Sequence, residues 1–94
     1  MIKVSVFYPE TEGASFDLDY YRETHVPLAC KTWGLDGAQI TKGVSGPYIV
    51  GVDFIFDSMD EMGAAMSVPG TADVLADVAN FTTITPVMQV SEVV

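Results

Sequence analysis

The sequence predicts an α+β domain in which four strands form one antiparallel sheet and two helices cover one face of it, in the order β-α-β-β-α-β. Three observations carry that expectation. The chain opens on an alternating stretch, Ile2, Val4, Val6 and Tyr8 against Lys3, Ser5 and Phe7, which is the period of a strand with unlike faces. A second and longer alternation runs from Tyr48 to Phe56. Helix-start signals stand at Asp17 and Ser58, each ahead of apolar residues spaced three and four apart.

The first strand ends at the turn-rich "PETEG". Asp17 is then an N-cap, Asp19 suits the positive end of the helix dipole, and Phe16 with Tyr21 has the spacing of a hydrophobic staple. Leu18, Tyr21, His25 and Leu28 form the buried stripe of this helix, with Arg22 and Glu23 turned away. Pro27 cannot donate to the carbonyl of Glu23 and biases Val26 away from helical dihedrals, so the helix is expected to kink or restart there. A short strand near Ala38 to Lys42 and a Gly-Pro turn lead to the long strand, where Tyr48, Val50, Val52, Phe54 and Phe56 share one face. Ile49, Gly51, Asp53 and Ile55 share the other, which is also largely apolar. Ser58 and Glu61 make a capping box for a helix through Met59, Met62, Ala65 and Met66, which "SVPG" breaks. Thr71 is expected to cap a further short helix to about Ala79, and "TTITPVMQVSEVV" closes the chain as a strand with Pro86 at an edge or bulge.

This order is the ferredoxin-like arrangement, and it leaves one sheet face without helices. A chain of 94 residues makes a single domain, residues 1–94, too small to hide an apolar content near half. The expected outcome is a homodimer whose bare sheet faces meet around a two-fold axis, forming a dimeric α+β barrel with its helices outside. Thirteen acidic against four basic residues give a formal charge of −9, which argues against nucleic acid and anionic lipid as partners. No apolar run approaches the roughly 20 residues that span a bilayer. Cys30 is the only cysteine, so no intrachain disulfide forms, and a cytoplasmic location is expected.

His25 is the only histidine, on the stripe of the first helix and beside Pro27. Two readings stay open for it. It is either a helix-end imidazole satisfied by a backbone carbonyl and a tyrosine hydroxyl, which the spacing favours, or a general acid and base in a helix-sheet cleft. Tyr20 and Tyr21 point about 100° apart on a helix, and Tyr21, one turn from His25, is the nearer partner. Asp53 is a carboxylate in an apolar strand, expected to pair with Lys3 or to face a wet cavity. Trp33, and Met66 with Met59 and Met62, are read first as core-covering residues and second as the lining of a small apolar ligand's pocket. One histidine, one distant cysteine and scattered acids make no metal site, and the glycines fit no phosphate loop, so no metal and no cofactor is expected.

The stretch "FDLDYYRETHVPL", with "MIKVSVFYP" ahead of it, resembles the EthD family, named for ethyl tert-butyl ether degradation. Asp17, Tyr20, Tyr21, His25 and Pro27 carry the resemblance, and "FDS" before the second helix adds to it. The resemblance implies a dimeric α+β barrel and an association with degradative oxidation, loosely with oxidoreductase activity. Related barrels include cofactor-free monooxygenases, haem-degrading enzymes and cyclases or lyases acting on polyketide-like compounds. Carried over residue by residue, it marks His25 and Tyr21 as catalytic candidates, with Tyr20 and Pro27 as matched positions. Substrate-binding expectations at Trp33, Asp53 and Met66 rest on the residues alone. The two functions implied are a cofactor-free enzyme using His25 for proton transfer on an apolar oxygenated or carbonyl compound, and a non-catalytic binding or accessory protein that shields one.

Overall fold

A computed structural model describes residues Met1–Val94. The strands β1 (Ile2–Pro9), β2 (Gln39–Lys42), β3 (Tyr48–Phe56) and β4 (Val87–Glu92) form one antiparallel sheet in the order β2-β3-β1-β4, the ferredoxin-like topology. In the centre, Val4 stands opposite Phe54 on one side and Val90 on the other. Side chains alternate across the pleat, so Ile2, Val4 and Tyr8 of β1 share a face with Val50, Val52, Phe54 and Phe56 of β3, and all seven are buried.

That face is covered by two helical runs. The first comprises α1 (Leu18–Tyr20), a π-turn (Tyr21–His25) and α2 (Val26–Trp33), and it ends at Gly34 with φ +71°, a left-handed conformation that suits glycine. Its start follows the expected signals: the Asp17 carboxylate accepts from the Tyr20 N–H at 3.1 Å, and Phe16 packs edge-on against Tyr21 with ring centroids 5.0 Å apart. The second run comprises α3 (Met59–Met66), capped by Ser58, and α4 (Gly70–Asp77), continued by a 3-10 turn over Val78–Asn80. No helix of the chain is long and apolar enough to cross a membrane.

Three local expectations are corrected. Thr71 does not cap α4: it lies inside the helix, and its hydroxyl accepts the Trp33 indole N–H at 2.9 Å. The last strand does not begin at Thr82. The Thr82 hydroxyl donates to the Ser15 carbonyl at 2.7 Å, and the Asp17 N–H donates to the Phe81 carbonyl at 2.9 Å, so this segment is tied to the start of the first helix and pairing begins after Pro86. Tyr48 leaves the core stripe of β3, because the register shifts between Tyr8 and Pro9 and the Tyr48 ring stacks on Phe7 with centroids 4.8 Å apart.

Phe7 lies on the helix-free face, over Gly51, where an added Cβ would sit 3.0 Å from its ring. This face is less apolar than β3 alone suggests. Phe7, Ile49, Gly51 and Ile55 share it with Lys3, Ser5 and Asp53, and the Ser5 hydroxyl donates to the Asp53 carboxylate at 2.6 Å. Asp53 thus finds a cross-strand partner, serine rather than Lys3, and it borders an open hollow of about 440 Å³, the other expectation for it.

Candidate active site

The first helix runs through Pro27 without breaking. Lacking an N–H, Pro27 leaves the Glu23 carbonyl without its usual donor, and the ladder loosens by one residue just before it: the Val26 N–H reaches back to the Tyr21 carbonyl, five residues away. The resulting π-turn holds Tyr21 and His25 at its two ends, with their rings nearly parallel (17°) and centroids 5.5 Å apart. Single π-turns inside α-helices recur at functional sites.

His25 is buried, at 6 % exposure, with Phe81 packed against its ring at a centroid distance of 4.6 Å. Its Nδ1 lies 2.9 Å from Asp77 Oδ2, where α4 ends. The same carboxylate accepts the Tyr20 hydroxyl at 2.7 Å and the Asn80 amide at 2.8 Å. Burial works against the charge of Asp77, but the bonds from Asn80, Tyr20 and His25 outweigh it and hold the carboxyl below its ordinary value. Asp77 is therefore ionised near neutrality and can only accept, so the neutral imidazole carries its proton on Nδ1 and presents a lone pair at Nε2. Burial has the largest influence on His25 itself and pulls its pKa below the ordinary 6.5, against the opposing bond and charge of Asp77. Nε2 has no partner within the chain.

Beside the imidazole lies a cavity of about 130 Å³ between the helices and the sheet. Val6, Val52, Phe54, Ala29 and Val74 line its body, and the exposed Leu75 and Met88 stand at its margin. Its polar-tipped walls are Tyr8, Tyr21, His25 and Trp33. Tyr21 is fully buried, at 0 % exposure, and its hydroxyl has no hydrogen-bond partner. The Tyr8 and Tyr21 phenols approach closely enough to influence each other's ionisation, yet no bond of proper length and angle satisfies the Tyr21 hydroxyl. Burial pushes Tyr8 up to about 12 and Tyr21 higher still, so both phenols remain protonated donors. A larger hollow of about 390 Å³, bordered by Asp36, Asp57 and Glu61, opens to solvent and includes neither His25 nor Tyr21.

The expected site residues divide accordingly. His25, Tyr21 and Trp33 meet at the cavity, with the Trp33 indole N–H already committed to Thr71. Tyr20 turns to Asp77 instead of the cavity and acts on the imidazole through that carboxylate. Asp53 sits on the opposite face of the sheet, and Met66 packs against the core without lining the cavity. Asp77 was absent from the sequence reading of the site. No three His, Cys, Asp or Glu side chains converge where a metal ion could be held.

A family model described as EthD domain matches residues 10–85. Among solved structures, an EthD-like protein of Ralstonia eutropha JMP134 is 41 % identical, with a TM-score of 0.89 over 99 % of this chain and 91 % of its own. An ethyl tert-butyl ether degradation (EthD) family protein of Bacillus halodurans C-125 is 20 % identical, with a TM-score of 0.73 over 100 % of this chain and 99 % of its own. A dimeric protein of unknown function with a ferredoxin-like fold, from Bacteroides fragilis NCTC 9343, is 8 % identical, with a TM-score of 0.63 over 98 % of this chain and 95 % of its own. The last two likenesses concern the fold alone. No curated protein matches the chain.

Proposed function

The chain belongs to the EthD family, and on that premise we propose that it is a small cofactor-free enzyme, using His25 as general acid and base on a neutral, apolar oxygenated compound held in the helix-sheet cavity. One observation carries the reading. His25 is anchored through Nδ1 to an ionised Asp77 at 2.9 Å, while Nε2 is left without a partner in a ring that lines the cavity. Nε2 keeps accessible surface where the ring lines the cavity, so a compound bound there can reach it.

The arrangement suits proton transfer. The neutral ring takes a proton from the bound compound through Nε2, and the imidazolium that forms lies against the Asp77 carboxylate. Tyr20 and Asn80 hold that carboxylate in place, so the ring keeps one tautomer and one orientation. The Tyr21 hydroxyl is a ready donor to an oxygen on which negative charge develops. The imidazolium exchanges its Nε2 proton with solvent, and a proton then passes from Nε2 to the product.

We take the working unit to be a homodimer. The helix-free face presents Phe7, Ile49 and Ile55, and the edge strand β4 exposes Val87 at 46 % and Val90 at 44 %, which is much apolar surface for so small a domain.

The test is exchange of carbon-bound hydrogen for deuterium in small oxygenated compounds, followed by NMR in deuterated water. His25→Asn is expected to slow the catalysed exchange by about 10²–10⁴-fold, the usual worth of general acid-base catalysis, with fold and mass in solution unchanged. Exchange at the wild-type rate in His25→Asn would sink the catalytic role and leave the cavity as a site that only binds and shields its ligand.

A further inference from the structure

We propose that the cavity is a site for a neutral, single-ring phenol, whose hydroxyl accepts from Tyr21 and donates to Nε2 of His25. The inference rests on the proton-transfer reading of His25 and goes further, to the class of compound.

Size sets the first limit. Apolar cavities of roughly 150 Å³ take up benzene, and the cavity beside His25 is about 130 Å³. One ring fits and a fused pair does not, unless it protrudes past Leu75 and Met88 at the margin. Charge sets the second. Neither lysine nor arginine lines the cavity, and the chain's −9 charge repels anions, so a carboxylate or phosphate would be buried with no counter-charge.

The polar groups set the third. Trp33 has given its N–H to Thr71, which leaves the Tyr8 and Tyr21 hydroxyls as donors, the latter fully buried and unpartnered, and Nε2 of His25 as an acceptor on a ring stacked 5.5 Å from that of Tyr21. A fully buried hydroxyl without a partner is a cost that phenylalanine would spare the fold, and a ligand oxygen relieves it. A ketone can accept from Tyr21 but has no O–H to donate to Nε2 as a hydrogen bond. A ring hydroxyl answers both groups with one oxygen. Proton transfer then breaks the O–H bond of the phenol, forms an N–H bond at Nε2 and leaves the electron pair on the phenolate oxygen, facing the Tyr21 donor.

Calorimetric titration of the full chain with phenol, benzene, cyclohexanone, benzoate and 1-naphthol tests the class. Phenol is expected to bind one per chain and about a hundredfold tighter than benzene, the worth of roughly two hydrogen bonds. Tyr21→Phe should remove about tenfold of that advantage, the bond to His25 remaining, and leave benzene unchanged, with circular dichroism confirming the fold and Tyr8→Phe giving a smaller loss. No phenol binding, equal phenol binding in Tyr21→Phe, or cyclohexanone, benzoate or 1-naphthol binding as tightly as phenol would overturn the proposal. Absorbance of bound 4-nitrophenol separates it from the reading on which it rests. If the bound probe ionises as readily in His25→Asn as in the wild type, the proton-transfer role fails while the phenol site stands. If the ionisation depends on His25 but Tyr21→Phe changes no affinity, the phenol site fails and the proton-transfer role stands.

Discussion

Replacing Tyr21 with Phe should make the ligand-free protein more stable, an unusual sign for a substitution in a core. The Tyr21 ring is 0 % exposed and its hydroxyl makes no hydrogen bond of proper length and angle, so folding strips that hydroxyl of water and returns only a weak approach to the Tyr8 phenol. An unmet buried polar group costs about 1–3 kcal/mol. Removing one oxygen leaves a void far smaller than that of a large-to-small core substitution, and at about 24 cal/mol per Å³ it costs only about 0.3 kcal/mol. The net gain is then about 0.7 kcal/mol at the least, or roughly 3–6 °C in midpoint for a domain of this size. Thermal and urea melts by circular dichroism, at one fixed protein concentration so that any assembly contributes equally, measure it. A loss of stability would show that the hydroxyl has a partner, Tyr8 being the nearest phenol, and would remove the unmet donor on which the ligand argument depends. The gain should shrink when a ligand that bonds Tyr21 is present, since the hydroxyl is then satisfied in the wild type alone.

The protein should lose stability on acidification in two stages. His25 is depressed by burial, so between its folded value and the ordinary 6.5 the unfolded chain binds more protons; its contribution is whole above about 6.5 and is lost as pH falls through the folded value. Asp77 is depressed too, so its contribution is whole above the ordinary 3.8 and is lost as pH falls further. Urea midpoints from pH 8 to 3 should show both stages, and only the lower one in His25→Asn; a midpoint that rises on acidification would contradict the assignment. Asp77→Asn should drop the imidazole pKa further, because the carboxylate opposes the effect of burial, and should slow proton exchange by up to about 10⁴-fold. NMR titration of His25 reads the first effect, and an unchanged pKa would mean that the 2.9 Å contact carries no electrostatic weight. Light scattering at micromolar concentration should give twice the chain mass, falling to the monomer in Phe7→Lys on the helix-free face; a wild-type monomer would refute the dimer.

The fold was legible because its signals are local. Alternation marks β1 and β3, and Asp17 and Ser58 cap where their spacing says they should. What failed locally was overridden by distant partners. Thr71 has the chemistry of a cap, but Trp33 claims its hydroxyl from another helix. Thr82 and its neighbours have strand propensity, but bonds to Ser15 and Asp17 hold them over the start of the first helix. Tyr48 fits the period of β3, yet a one-residue irregularity opposite Tyr8 takes it out of register.

The site was half legible for a related reason. His25 and Tyr21 lie one turn apart on a single helix, and at Pro27, where that helix was expected to kink or restart, the α-helical ladder resumes after the π-turn that presents them. Asp77 lies 52 residues from His25 on a helix whose other acidic residue, Asp73, lies in its first turn, and nothing in local spacing sets one apart from the other. One signal was present. Asp77 stands three residues before Asn80, and an acid followed by an amide at that spacing late in a helix can form the small bonded unit seen at 2.8 Å. Near the negative end of the helix dipole a carboxylate is disfavoured unless donors surround it. Here three do, from Tyr20, His25 and Asn80. An acid kept in an unfavourable place, with donors gathered to hold it charged, is better explained by the proton it lets His25 carry than by any stability it adds to the helix.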